Sequence, residues 1–204
     1  EFGKVSIAFV VNAGLGDAIM TKKIFSAIVE LAPNCVFDIF YAEEKHKVYA
    51  KAFYSDSKNL NLIVSQEEFY VKLIKNYDLA LRVAGSHQII IDSGNPQRLQ
   101  MMAPALLESV IKIQQYNKLN VYNVGSADSV AFRNMMMARI LNKSCYEFLS
   151  CDGALPIRDN KVDIPLLPEY KNKLKKLRLD KYITFYVDAE SGKKPKNKSW
   201  PARY

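Results

Sequence analysis

The residues best placed to do chemistry stand at opposite ends of the chain. Near the start, NAGLGD (Asn12 to Asp17) leaves an apolar run through two glycines and enters a helical pattern. Gly14 and Gly16 let the backbone turn tightly and let a ligand approach without a Cβ in the way. The free N–H groups of a helix start favour anions or oxygen-rich ligands. Asp17 would repel a phosphate there, so a hydroxyl or an amine is the expected partner. The dinucleotide fingerprint G-x-G-x-x-G fails, because Ile19 stands three residues after Gly16. The plainer alternative is a strand-to-helix turn with Asp17 as the helix cap. Near the end, KSWPARY sets the only tryptophan, Trp200, before Pro201, a residue suited to the first turn of a helix. Lys198 would then stand beside a helix N-terminus, where a cation and backbone donors together can hold a phosphate.

Several other features have structural readings as good as their functional ones. Lys22 and Lys23 could meet an anionic acceptor or form a solvated helix face. His87 could face a cleft or serve as a surface histidine. DSGNP is good turn chemistry as well as a phosphate-binding type of turn. NMMMARIL reads as core packing. The two histidines, His46 and His87, sit at no metal spacing from a cysteine, so a zinc site is not expected.

The elements that must position these residues alternate. KVSIAFVV is a short apolar run typical of a strand buried on both faces. From Asp17 to Leu31 the apolar residues follow helical spacing, and Pro33 with Asn34 ends the helix. CVFDIFYA, LNLIV and DLALRV read as further strands, with EEKHKVYAKAFY and QEEFYVKLIKNY as helices between them. HQIIIDS is a fifth strand or the end of a hairpin. A long helix from about Pro96 to Tyr116, a strand LNVYNV and a helix SVAFRNMMMARIL follow. Alternation of this kind indicates an α/β fold, a Rossmann-like parallel sheet with helices on both faces.

Character changes near Asp152. Residues 1–151 form the expected first domain. Residues 152–180, rich in Pro and Asp and then in Lys, read as a linker and a basic amphipathic helix. Residues 181–204 (YITFYV and a polar loop) read as the opening of a second α/β domain continuing beyond this chain. The chain has 204 residues and a net charge of +8. Lys171 to Tyr204 hold eleven basic and three acidic residues, so the excess is concentrated there. A basic end suits phosphate, nucleic acid or a membrane surface, or is simply solvated. The scattered tyrosines form no RNA-binding motif, so no nucleic-acid partner is expected. No apolar run reaches the length of a spanning helix, and no signal-peptide pattern opens the sequence. Cys35, Cys145 and Cys151 cannot all pair and fit a reducing, cytoplasmic setting.

An N-terminal strand, the GLGD turn and helix, a P-N-x-x-F-D second strand and, about 170 residues later, a strand, loop and K-S-W-P helix start resemble one family. These are the family 9 glycosyltransferases, the ADP-heptose–lipopolysaccharide heptosyltransferases and their relatives. The likeness covers the whole chain in layout and about a tenth of its residues in motifs. It implies a bacterial GT-B enzyme of two facing Rossmann-like domains, with acceptor on the first and nucleotide sugar on the second. It implies inverting transfer to a hydroxyl of a saccharide or lipopolysaccharide-type acceptor, with no metal or cofactor beyond the nucleotide-sugar co-substrate. Asp17 matches the turn aspartate proposed as general base, and Lys198 the lysine near the donor phosphates. Gly14, Gly16 and Lys22 are then acceptor-side candidates, and Ser191 joins Lys198 on the donor side. A lipid-linked acceptor would bring the protein to the inner membrane's surface.

There are departures. Thr21 is followed by Lys22 and Lys23 where the family usually has a proline. The loop DAESGKKPKNKSWP carries Asp188 and Glu190 where the family's loop is small and Gly-rich. The later donor motifs have no counterpart before Tyr204, so this chain alone is not expected to catalyse transfer. Two alternatives therefore stand beside the main reading: a non-catalytic glycosyltransferase-like binding or assembly module, and a Rossmann-like sugar-nucleotide epimerase or dehydrogenase.

Overall fold

Five strands form one mixed sheet: β1 (Val5–Val10), β2 (Cys35–Tyr41), β3 (Leu60–Ser65), β4 (Leu79–Ala84) and β5 (Gln88–Gly94), in the order β3-β2-β1-β4-β5. The computed structural model describes residues 3–11, 15–65, 73–84, 88–119, 136, 139–142, 147, 150–159, 161–162, 172 and 175–176. The chain divides into two units, residues 1–165 and 166–204. In the second, residues 172, 175 and 176 are helical and exposed; the expected strand YITFYV lies outside the described residues, as does LNVYNV in the first.

The chain is thus an α/β protein, but its sheet is not wholly parallel. β1 pairs in parallel with both β2 and β4, and β2 with β3. β5 runs antiparallel to β4, with Ala84 opposite Gln88 and Leu79 opposite Gly94. Only residues 85–87 join the two strands, whereas a parallel crossover needs about a dozen residues. HQIIIDS is therefore both a fifth strand and the second arm of a hairpin.

Burial follows the pleat. Val5, Ile7, Phe9 and Val11 of the first strand face the larger core, and Ala8 and Val10 face a smaller one. The larger core is roofed by α1 (Leu15–Leu31), α2 (Glu44–Tyr54) and α4 (Pro104–Leu119). Its centre is aromatic: the Phe25 ring lies 4.3 Å from that of Phe37 and 4.9 Å from that of Tyr54. On the opposite face, Leu73, Ile74 and Tyr77, around a turn of 3₁₀ helix at Ile74–Asn76, cover Ala8, Val10, Phe40 and Ala80. Most of the helix expected over QEEFYVKLIKNY lies outside the described residues, and only its end, the 3₁₀ turn, is seen on this face.

The long helix expected over 96–116 is two helices. In α3 (Pro96–Met102), Pro96 fits the first turn and the Asn95 side chain accepts from the Arg98 N–H at 3.1 Å. Ala103 leaves helical geometry at φ −154°, because the residue before a proline is pushed out of the α region. α4 then restarts at Pro104. It climbs in the direction of β1: α3 begins just after β5 ends, while Asn117 near the far end of α4 donates to the Ile89 carbonyl at the start of β5 (2.7 Å).

The Pro- and Asp-rich stretch after Asp152 re-enters the core. Cys151, Asp152 and Gly153 all have positive φ (50°, 54° and 84°), a tight left-handed turn. The Ser150 hydroxyl accepts from the Gly153 N–H. Ala154 and Leu155 are then buried, and Arg158 pairs with Glu30 of α1 at 2.7 Å. From NMMMARIL, Met136 and Ile140 are helical and exposed, although the pattern suggested core.

Candidate functional site

Strand order locates the crevice. From β1 the chain moves through α1 to β2 and then β3 on one side. It next crosses to β4 on the other side of β1. The direction of winding reverses between β1 and β4, whose register pairs Val10 with Arg82. Ligands of open α/β sheets bind beyond the carboxyl ends of the strands at such a reversal. β1 ends at Val10, the Val11 N–H donates to the Phe40 carbonyl at 2.8 Å, and α1 begins at Leu15. The helix starting at this crevice is the one that carries the glycine-aspartate motif.

Gly16 and Asp17 are the second and third residues of α1. The pattern suggested a helix beginning at Asp17; beginning at Leu15, it holds Asp17 within the first turn. The placement of the Gly16 and Asp17 side positions, and Gly14, His87, Ser191, Lys198 and Trp200 altogether, lie outside the described residues.

Both helix lysines have intramolecular partners. Lys22 Nζ donates to the Phe53 carbonyl in the last turn of α2 and lies 5.3 Å from the centroid of the buried Tyr54 ring. A cation suits that end of a helix, where carbonyls lack partners. Seven residues into α1, Lys22 stands about 10 Å down the axis from its first residue. Lys23 bonds the exposed Asp159, which lies well below its ordinary carboxylate range because of that bond.

Histidine 46 is the residue that sequence reading passed over. It is the third residue of α2, only 5% exposed, and its Nδ1 has no hydrogen-bond partner among the described residues. Burial lowers its pKa; nearby Glu43 opposes that shift and Lys45 adds to it. Its height can be read from α2: the buried residues His46, Ala50, Phe53 and Tyr54 share one face. Tyr54 lies beside Thr21 of α1. Eight residues back along α2 is about 12 Å, and six back along α1, to Leu15, about 9 Å. His46 thus stands level with the start of α1. The spacing His46, Ala50, Phe53, Tyr54 was the available signal, since it sets a histidine in an otherwise apolar helical stripe.

A second polar cluster lies at the opposite, amino edge. Buried Asp78 accepts from the Ser6 N–H at 2.9 Å, the Ser6 hydroxyl at 3.1 Å and Arg98 Nε at 2.6 Å. Arg98 also donates to the Lys4 carbonyl. An open groove of about 280 Å³ adjoins it, lined by Lys4, Ser6, Val36, Asn61 and Arg98. Asp78 neutralises Arg98 there, and the cluster ties β1, β4 and α3 together. Among the described residues no three His, Cys, Asp or Glu side chains gather as a metal site, and no helix is long and apolar enough to cross a membrane.

Against this geometry the comparisons with known proteins are brief: no family model, curated protein or solved structure matches the chain.

Proposed function

We propose that this chain is the acceptor-side part of a GT-B glycosyltransferase of the family 9 type, with the opening of its donor domain. One observation carries the reading: the helix bearing Gly16 and Asp17 starts where the sheet reverses its winding. The order β3-β2-β1-β4 is also that of a doubly wound sheet's first four strands, which supports a Rossmann-like assignment. In the proposed reaction an acceptor hydroxyl attacks the anomeric carbon of a nucleotide sugar. The bond from that carbon to the diphosphate oxygen breaks, and the nucleoside diphosphate departs with the electron pair. Asp17 orients the hydroxyl and takes its proton late, because the helix dipole makes it a weak base. Lys198, with Ser191, would stabilise the charge growing on the leaving diphosphate. A lipid-linked saccharide acceptor and a cytoplasmic site at the membrane surface fit the basic C-terminal stretch.

The test is calorimetric titration of the protein comprising this chain with a panel of nucleotide sugars, alongside Lys198→Ala. One donor should bind saturably and more weakly in the variant. Asp17→Asn should keep donor binding and slow transfer by about 10²–10⁴-fold. If no nucleotide sugar binds, the reading fails.

A further inference from the structure

We propose that residues 156–159 form a strap that two ion pairs close over α1 and that raised ionic strength releases. The inference concerns the first unit alone and does not depend on the proposed function. Leu155, just before the strap, is buried in the larger core, and its N–H donates to the Ser150 carbonyl at 3.0 Å. Beyond it the backbone lets go. Among the described residues, the one main-chain bond of residues 156–159 is local, from the Ile157 N–H to the Leu155 carbonyl at 2.8 Å. Ile157 packs, half-buried, at the margin of the core.

The rest of the hold is ionic. Asp159 pairs with Lys23, and Arg158 with Glu30. Lys23 and Glu30 stand two turns apart on α1, about 10 Å along its axis, so the strap is pinned at two separate points. Between strap and helix lies an open groove of about 230 Å³, lined by Ser26 and Ala27 as well as the four charged side chains. The side chains of Glu30, Asp159 and Arg158 are 48%, 54% and 76% exposed, so salt reaches and screens both pairs. A segment with few apolar contacts and no backbone anchor opens locally, without unfolding the rest. Opening frees four residues, at most about 14 Å of chain, in the stretch that leads to residue 166, where the second unit begins. The reach of that tether then depends on ionic strength.

Ala27→Cys sets a thiol on the groove wall, at a position only 4% exposed. Its labelling by iodoacetamide, read by peptide mapping, reports strap opening, while buried Cys35 reports global unfolding. Raising potassium chloride from about 0.05 M to about 0.5 M should speed labelling about 2–10-fold as the pairs are screened. Adding Lys23→Met and Glu30→Gln should speed it about 2–30-fold at low salt and abolish most of the further response to salt. Loss of the Lys23 cation would by itself slow a neighbouring thiol, so faster labelling reports access. Cys35 should stay unlabelled throughout. Labelling that ignores either salt or the double substitution would overturn the proposal, because packing would then hold the strap. Joint labelling of the introduced thiol and Cys35 would overturn it too, because the opening would then be global.

Discussion

Replacing Asp78 with alanine removes a carboxylate that serves three donors on two elements, and its cost can be worked from the contacts. Half-buried Ser6, beside the open groove, loses two bonds to the carboxylate, at 2.9 Å from its N–H and 3.1 Å from its hydroxyl. Hydrogen bonding to a charged group is worth about 1.5–3 kcal/mol net. Arg98, with its side chain 34% exposed, can swing toward solvent, so losing its 2.6 Å partner adds only about 0.5–1 kcal/mol. The backbone bonds from Asp78 N–H to the Ser6 carbonyl and from Asn95 N–H to the Asp78 carbonyl survive. The expected total is about 2–4 kcal/mol. Equilibrium urea unfolding measures it, and a cycle with Arg98→Met isolates the pair. A loss below about 1 kcal/mol, or strictly additive effects in the cycle, would refute the view that this cluster knots β1, β4 and α3.

Two more outcomes follow from burial. His46 has a lowered pKa in the folded chain, so its contribution is complete above its unfolded value of 6.5 and is lost as pH falls through the lowered folded value. Between pH 7.5 and 5, wild type should therefore lose more stability in urea than His46→Leu; parallel curves would remove His46 as the cause. Burial pushes the thiols of Cys35 and Cys151 up to about 12. Peptide mapping after a thiol reagent at pH 8 should find both unlabelled in the native protein and labelled after unfolding. Rapid native labelling of either would contradict their burial.

Strands were the most legible part of the fold. Among the described residues, the runs KVSIAFVV, CVFDIFYA, LNLIV, DLALRV and HQIIIDS each became a strand within a residue or two, because short apolar runs bounded by turn residues leave a clear signal. Their directions were not legible in the same way. The direction of β5 depends on the length of a connection, and three residues between two strands leave room only for a hairpin. Pro104 was visible inside the long helical pattern, and its effect falls on the residue before it, Ala103, where hydropathy is silent. The return of Ala154 and Leu155 to the core depends on a left-handed turn that composition does not reveal. At the site, the glycine-aspartate motif stood out by residue type. His46 did not, since one histidine among lysines and glutamates resembles solvated surface until the helical stripe is traced. Lys22 reads as a free cation in sequence, and only the end of α2 beside it shows which carbonyl it meets.

The reversed climb of α4 has an electrical consequence. α1 and α2 descend from the carboxyl edge and present their positive ends to it, each worth about half a unit charge. α4, packed over β5, ascends and delivers its negative end near the start of that strand, where Asn117 meets Ile89. The rim of the crevice is therefore polarised along the sheet, positive over β1 and β2 and negative toward β5. A molecule with a built-in dipole lying across that rim has one favourable heading and one unfavourable one.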